Sequence, residues 1–596
     1  MGKLNNSKFY GLVFAIWLFW SVVLVASTLL GSGDLVSDPD DYMRMVEVHD
    51  WLAGQSWFDV SQHRINPPFG GDMHWSRWVD VPIAVMFLIG SAFLNPEHAD
   101  QFAFIATPIL LLAVLMAVMA SVTRKLSNGT AALFAIFLIP TFPLLMRQFL
   151  PGRIDHHSWQ ILMAALALWG VLHKGQIKAA VIIGVAMGFW MHVSIEGLPF
   201  AAAFGALLAF WHFFPQFSAQ GARDIRLQWF AAALTISSAL LLVSTRNGAA
   251  LATVYCDAVA WPLIAAMAIC TAGAVIAVRL FERRTLALLT VAIAAALGAA
   301  IYISASGSCA LDPFGNLSPL VRSFWHETIT EGLPIHRQAA AIITVLLFVP
   351  LVACLTLGAT WAKYDDALKM QWGTLAFLLL FATLMSFYVQ RTGAVAQLFA
   401  VPLFGVLALV IVDRVKRIEM MPLRVLVTAF SLVCILPMTA FFAGSLAFAA
   451  PKKHEAIVAE KSLRPCSTTE LARVPKGIIF TTMAAGPDML FHTEHSVFVS
   501  GYHRNHVQMD RLIAMMLGDA RSAEKLLRAA AIDYVVICPS HFETKSYLAA
   551  GHTNFAASLL SPSPPEWLLP VAGFEDSAMR VYRLAPAAVR TNGDGL

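Results

Sequence analysis

Apolar residues in this chain gather in long unbroken runs, with none of the regular apolar–polar alternation of a soluble fold. The runs lie at 9–30, 99–122, 129–148, 158–173, 178–194, 196–214, 227–245, 258–279, 285–305, 338–360, 370–387, 394–412 and 422–447. Each approaches or exceeds the length a helix needs to cross a hydrocarbon layer of about 30 Å. Inside lipid every backbone group must be satisfied within its own segment, so the runs predict about thirteen transmembrane helices. A short basic leader with Lys3 and Lys8 precedes the first run. That run is too long for a signal-peptide core and no small-residue cleavage pattern follows it, so it reads as an uncleaved span. A shorter apolar stretch at 81–94 reads as an interfacial or re-entrant helix within the first outer loop.

The pattern changes after about residue 450. Short apolar runs at 477–481, 497–499 and 533–538 predict buried strands, and 509–517 and 523–531 have helical spacing. Pro562, Pro564 and Pro565 mark a loop. The tail is thus a small α/β domain at 451–596, following a transmembrane region at 1–450 whose outer loops at 31–80 and 306–337 hold the candidate chemistry.

Composition supports this division. Of 596 residues 58% are hydrophobic and 13% charged, and the mean hydropathy is +0.68; a soluble chain of this size needs far more polar surface. The net charge of +4 is concentrated in short loops. This excludes a basic face for nucleic acid and leaves a topology signal. Alternate loops carry Arg124 and Lys125; Lys174 and Lys178; Arg223 and Arg226; Arg279, Arg283 and Arg284; Lys363 and Lys369; and Arg414, Lys416 and Arg417. By the positive-inside rule these loops are cytoplasmic. The expected protein is integral to the plasma (inner) membrane, with a cytoplasmic N-terminus and a periplasmic or extracellular tail. Of seven cysteines, Cys270, Cys354 and Cys434 fall within spans. Cys256, Cys309, Cys466 and Cys538 fall outside, where Cys256–Cys309 and Cys466–Cys538 bridges are permitted but not established by spacing.

Three acidic clusters far apart in sequence share the predicted outer side: Asp38-Pro39-Asp40-Asp41-Tyr42-Met43-Arg44, Arg153-Ile154-Asp155-His156-His157, and Thr328-Ile329-Thr330-Glu331. Carboxylates with an imidazole suit Mg2+ or Mn2+, and such a cation neutralises a phosphate leaving group. Any one cluster alone reads first as loop solvation, as do Asp40, Asp41 and Asp50, whereas Asp-His-His is served equally by an interfacial hydrogen-bond network. Arg391 stands between two apolar runs, where a guanidinium clamps a phosphate bidentately or snorkels to the interface; His192 and Glu196 pose the same choice. The aromatics Trp51, Trp57, Trp75 and Trp78 read first as an interfacial belt and second as sugar-stacking surfaces.

These residues resemble a family. Asp38 and Arg44, followed by Asn66-Pro67-Pro68-Phe69-Gly70-Gly71-Asp72-Met73-His74-Trp75, are similar to the first outer loop of oligosaccharyltransferase catalytic subunits, particularly archaeal ones. Arg147 with Asp155-His156-His157 resembles their second acidic motif, and Thr328-Ile329-Thr330-Glu331 resembles their TIxE motif. Arg391 with Phe399-Ala400-Val401-Pro402 resembles the segment of their pyrophosphate-binding arginine. The four matches are ordered over roughly 1–450. The resemblance implies a polytopic α-helical GT-C-type glycosyltransferase with Asp38, Asp155 and His157 as metal ligands. It places Glu331 near the metal or acceptor, and Arg391 on the diphosphate of a polyprenyl-linked glycan donor. Asp38 would also orient or deprotonate an extracytoplasmic acceptor.

One departure stands out. Relatives that glycosylate asparagine carry a Trp-Trp-Asp-Tyr-Gly motif in the tail, whereas this tail has a single tryptophan, Trp567. Near the corresponding place stand Ala484-Ala485-Gly486-Pro487-Asp488, then His492, His495, His503 and Arg504. These are donor-phosphate contacts, or contacts to a different acceptor, or solvated histidines on a turn. The leading expectation is transfer of a glycan from a polyprenyl (di)phosphate to an outer acceptor other than the usual sequon. A GT-C transferase of one sugar from polyprenyl monophosphate to lipid A, polysaccharide or protein is the alternative. A transporter or flippase ranks lower, because no internal repeat is visible and the acids gather outside the bilayer midplane.

Overall fold

The computed structural model describes residues 5–31, 34–217, 224–310, 312, 314–447 and 466–586. Lys3, Arg223 and the side chain of Cys309, and with it the Cys256–Cys309 pairing, lie outside the described residues.

All thirteen apolar runs fall on helices. Among the described residues nine are long and apolar enough to cross a membrane: Asn6–Leu30, Pro96–Leu126, Gln176–Val193, Arg226–Thr245, Trp261–Leu280, Arg284–Ser306, Ala340–Lys363, Asp366–Tyr388 and Gln390–Val415. Met421–Ile435 and Pro437–Ala447 form a tenth when joined, bent by 68° where Pro437 interrupts the ladder. The other three runs give shorter helices. In 129–148 the cause is Pro140 and Pro143: the helix Gly129–Leu138 passes into a 3-10 turn at Ile139–Thr141 and then the short helix Pro143–Arg147. The 81–94 stretch belongs to the helix Arg77–Ser91, capped by the Ser76 side chain. The chain is therefore an integral membrane protein.

Contacts divide it into two compact units that interleave in sequence, one comprising 1–37, 75–315 and 330–449, the other 38–74, 316–329 and 450–596. The helical unit is packed closely. A Cβ on Gly405 would lie 2.4 Å from Ala131 O, so glycine lets the Gln390–Val415 helix lie directly against Gly129–Leu138. Trp75, at 4% exposure, is buried and does not form part of an exposed interfacial belt.

In the second unit a five-stranded sheet has the order β2-β1-β3-β5-β4. The strands are β1 (Ile478–Phe480), β2 (Ser496–Val497), β3 (Tyr534–Ile537), β4 (Leu568–Pro570) and β5 (Arg580–Leu584). The first three run parallel, with the helix Gly486–His492 between β1 and β2; β5 pairs antiparallel with both β3 and β4. The helices His506–Leu517 and Ala520–Ala529 match the spacing read from sequence, and Cys466 and Cys538 form a disulfide.

The loop after the first span joins this sheet. Val497 N donates to Arg64 O and Asn66 N to Val497 O, both at 2.8 Å, extending the edge beyond β2. The Arg64 guanidinium donates to Leu490 O and Thr493 O at 2.8 Å and reaches His495 O at 3.4 Å. It thus satisfies carbonyls that the end of the Gly486–His492 helix leaves unpaired. Arg64→Ala strands these acceptors, and the expected cost is about 2–3 kcal/mol. A clear fall in melting temperature of the purified protein checks this; an unchanged transition refutes it.

Candidate functional site

In the helical unit the second acidic motif is positioned by a proline and a glycine. Pro108 lies inside the Pro96–Leu126 helix and has no N–H to give Phe104 O. Gly152 N supplies the missing bond at 2.9 Å. Gly152 has φ of +91°, and a Cβ there would sit 2.0 Å from Leu35 O, so no other residue fits. From the helix Gly393–Val415 the buried Gln397 Oε1 accepts from Leu144 N and Leu145 N at 3.0 Å, capping the Pro143–Arg147 helix that leads into the motif.

Asp155, His156 and His157 emerge from this scaffold almost fully buried. His156 Nδ1 lies 2.6 Å from Asp155 Oδ1. His157 Nε2 lies 3.5 Å from both Asp155 Oδ2 and Glu331 Oε1. Glu331 Oε1 is 3.8 Å from Arg391 Nη1, and Arg391 Nε is 3.4 Å from Glu196 Oε1. Four candidate residues and Glu196 thus form one chain of alternating charge. Burial raises the Glu331 carboxyl, but the contact and charge of His157 with the positive charges of Arg391 and Arg153 outweigh it and hold the group well below the ordinary carboxylate range. Among the described residues, Asp155, His156 and His157 offer donor atoms all within 4.8 Å of one another, a set that could hold a metal ion.

The other candidates lie in the second unit. Asp38 caps the helix Pro39–Leu52, accepting from Asp40 N at 3.2 Å, with Pro39 in the first turn. That helix packs on Gly486–His492: the Tyr42 ring is 5.2 Å from Phe491 and 5.3 Å from His492. Arg504 Nη1 contacts Asp72 Oδ2 and Met73 O at 3.0 Å, and the His503 ring lies 4.6 Å from His74. His495 stands apart at 2% exposure. Its Nε2 donates to Leu471 O at 3.0 Å, and its Nδ1 accepts from Gly477 N at 3.1 Å. With both ring nitrogens spent on the backbone, His495 serves the sheet edge and has none to offer a phosphate.

Sequence reasoning missed two features. Asp41, Arg44 and Glu47 are buried, whereas Asp40 and Asp41 had read as solvated loop acids; Arg44 Nη1 lies 3.7 Å from Glu47 Oε2. Glu543 was not singled out at all. At 3% exposure its oxygens accept from Met483 N at 2.9 Å and Ala484 N at 2.7 Å, fixing the loop that begins the Gly486–His492 segment. An isolated glutamate on a short helix gives no sequence signal for this, because its partners are backbone groups.

No protein-family model matches the chain. The dolichyl-phosphooligosaccharide-protein glycotransferase 2 of Archaeoglobus fulgidus is 28% identical over 176 residues. The match covers 30% of this chain and only 28% of that relative's length. Among solved structures, the archaeal oligosaccharyltransferase AglB of Archaeoglobus fulgidus with an inhibitory peptide and a dolichol-phosphate aligns at TM-score 0.66 and 14% identity, covering 95% of this chain and 75% of that one. The apo form of the Archaeoglobus fulgidus oligosaccharyltransferase aligns at 0.64, with 14% identity and coverage of 94% and 72%. Its complex with Zn and sulfate aligns at 0.56, with 14% identity and coverage of 91% and 69%. The chain has the fold of an archaeal oligosaccharyltransferase.

Two predictions follow from these placements. Gly152→Ala forces the segment carrying Asp155 away from Leu35 and Phe104, with an expected cost of about 3 kcal/mol or more. A melting temperature equal to wild type refutes this. Burial pushes the Glu543 carboxyl up to about 7, against the opposing hydrogen bonds from Ala484, Met483 and Tyr547. The folded state therefore binds this proton more tightly than the unfolded chain. The associated stability is fully present below about pH 4.5 and is lost as pH rises to about 7, by roughly 3 kcal/mol. Unfolding measured across that window should show the slope in wild type and lose it in Glu543→Gln.

Proposed function

We propose that this chain is a membrane glycosyltransferase, metal-dependent, that moves a glycan from a polyprenyl-(di)phosphate donor to an acceptor at the outer face of the membrane. The observation that carries the reading is the chain Asp155, His157, Glu331, Arg391 and Glu196, assembled from four connecting segments of an oligosaccharyltransferase-like fold. Further support comes from what the structural relatives hold, dolichol-phosphate in one and Zn with sulfate in another. The positive-inside pattern supports a cytoplasmic N-terminus and an outer tail.

The donor set fits a divalent cation. Spacings of 3.5 Å from His157 Nε2 to Asp155 Oδ2 and Glu331 Oε1 are long for hydrogen bonds. They approach the roughly 3 Å between adjacent ligands of a six-coordinate ion. Asp38, Asp155 and His157 are the proposed ligands, with Mg2+ or Mn2+ as the cation. When bound, such an ion supplies charge neutralisation for the leaving phosphate.

The chain's own residues do the rest. Arg391, whose guanidinium already engages carboxylates, presents the planar fork that grips a phosphate. Glu331 keeps Arg391 and His157 oriented and stays ionised. His503 and Arg504 are read as further donor-phosphate contacts. Asp38 orients the acceptor for substitution at the anomeric carbon, where positioning and electrostatic stabilisation of the leaving group provide most of the rate. The isoprenoid tail lies against the spans while the glycan stays in water.

Mass spectrometry of polyprenyl-linked lipids from native cells carrying wild type or Asp38→Ala tests this. The variant is expected to accumulate unused donor, as is Asp155→Ala or His157→Ala, with protein level unchanged. A diphosphate-linked oligosaccharide identifies the leading reading and a monophosphate-linked single sugar the alternative. Accumulation of neither, or full activity after chelation of divalent metal, refutes the proposal.

A further inference from the structure

The Cys466–Cys538 disulfide joins two segments of the second unit that hold the Gly486–His492 helix and its leading loop from different sides. Cys466 stands two residues before Thr468, whose Oγ1 donates to Asp488 Oδ2 at 2.9 Å. The 3-10 turn that follows, Thr468–Arg473, accepts the His495 Nε2 proton on Leu471 O at 3.0 Å. Cys538 directly follows β3 and lies five residues before Glu543, whose oxygens accept from Met483 N and Ala484 N. The bridge, 72 residues apart in sequence, therefore ties these two noncovalent holds together covalently.

Cys538 also occupies a strand–turn–helix junction. His541 N donates to Cys538 O at 3.2 Å, closing the turn Cys538-Pro539-Ser540-His541, and the helix Phe542–Ala550 begins at once. Because β1 and β3 run parallel, this turn and the Met483–Ala485 turn after β1 sit at the same end of the sheet. Ser540 Oγ lies 3.1 Å from Cys538 Sγ and 4.0 Å from Cys466 Sγ. A sulfur within a disulfide carries no proton, so the hydroxyl is the donor, and it favours Cys538. Cys466, Cys538 and Ser540 are all partly exposed, which leaves the bridge open to a thiolate from solvent.

We propose that Cys466–Cys538 is a thiol–disulfide exchange site for an external dithiol, with Ser540 stabilising Cys538 as the leaving thiolate, and that its reduction loosens the Gly486–His492 segment. Nothing in this step requires the glycosyltransferase reading above. A thiolate sulfur of the dithiol bonds to Cys466 Sγ and the Cys466–Cys538 bond breaks. The electron pair stays on Cys538 Sγ, where the Ser540 hydroxyl hydrogen-bonds it. The second sulfur of the dithiol, as thiolate, then bonds to the first and releases Cys466. Two electrons pass to the protein, the dithiol departs as a disulfide, and the two protons it gave up end on the two cysteines. A hydrogen bond to the departing thiolate, and its place just ahead of a helix, lower its basicity and speed its departure. Once the bridge is open, Thr468 and Glu543 hold their partners through hydrogen bonds alone, and local opening of the segment becomes more frequent.

The test uses purified full-length protein in lipid nanodiscs, with free thiols blocked beforehand and dithiothreitol as the probe. Reduction under native conditions, followed by an acid quench, alkylation and mass spectrometry, should label Cys466 and Cys538 in protein that remains folded. Amide hydrogen exchange at residues 483–492 should then rise by about tenfold or more and fall again on reoxidation, while exchange in the β3–β5 pairing stays unchanged. Ser540→Ala should slow reduction by about tenfold with hydrogen exchange of the oxidised form at wild-type rates, and Ser540→Thr, which keeps the hydroxyl, should reduce at the wild-type rate. With glutathione as a monothiol probe, the trapped adduct should sit on Cys466. A bridge that dithiothreitol opens only after denaturation, a wild-type reduction rate in Ser540→Ala, or glutathione trapped on Cys538 overturns the exchange site. Unchanged hydrogen exchange at 483–492 after reduction overturns the loosening.

Discussion

The carbonyl oxygen of Phe104 cannot accept from the residue four positions on, because that residue is Pro108 and has no N–H. In an apolar interior such an oxygen finds a donor or costs several kcal/mol. Gly152 N is that donor, and its left-handed backbone against Leu35 admits no side chain. The consequence reaches Asp155 and His157, three and five residues downstream, which cannot shift without uncovering the carbonyl again. A proline inside a span, ordinarily a weakness, here anchors the loop that carries the candidate metal ligands.

The charges on that loop are tolerated because they alternate. From Asp155 through His157, Glu331 and Arg391 to Glu196, each group has an opposite neighbour at 3.4 to 3.8 Å. Burying any one of them alone would be costly, whereas the series shares the cost of desolvation.

Much of this was legible in the sequence, and the reasons differ by element. The apolar runs are long and carry their own signal, so every one became a helix; the broken helices at Pro140 and Pro437 show where continuous hydropathy overstates a span. The strands at 478–480, 496–497 and 534–537 were readable as apolar bursts, while β5 and the edge strand β4 were not: each mixes charged or exposed positions with buried ones. Among the site residues, Asp155, His157, Glu331 and Arg391 converge in one unit. Their motifs pointed there, but the tie through Glu196 is visible only in three dimensions. His495 and Glu543 mark the limit in the opposite sense. One had the residue type of a ligand and serves the backbone; the other had no motif and fixes a loop.

The segment 38–74 follows the first span in sequence yet folds with the tail, through its pairing at Val497 and the Arg64 contacts to the Gly486–His492 helix. Asp38 and His492 therefore belong to one compact unit, and Arg391 and Glu331 to the other.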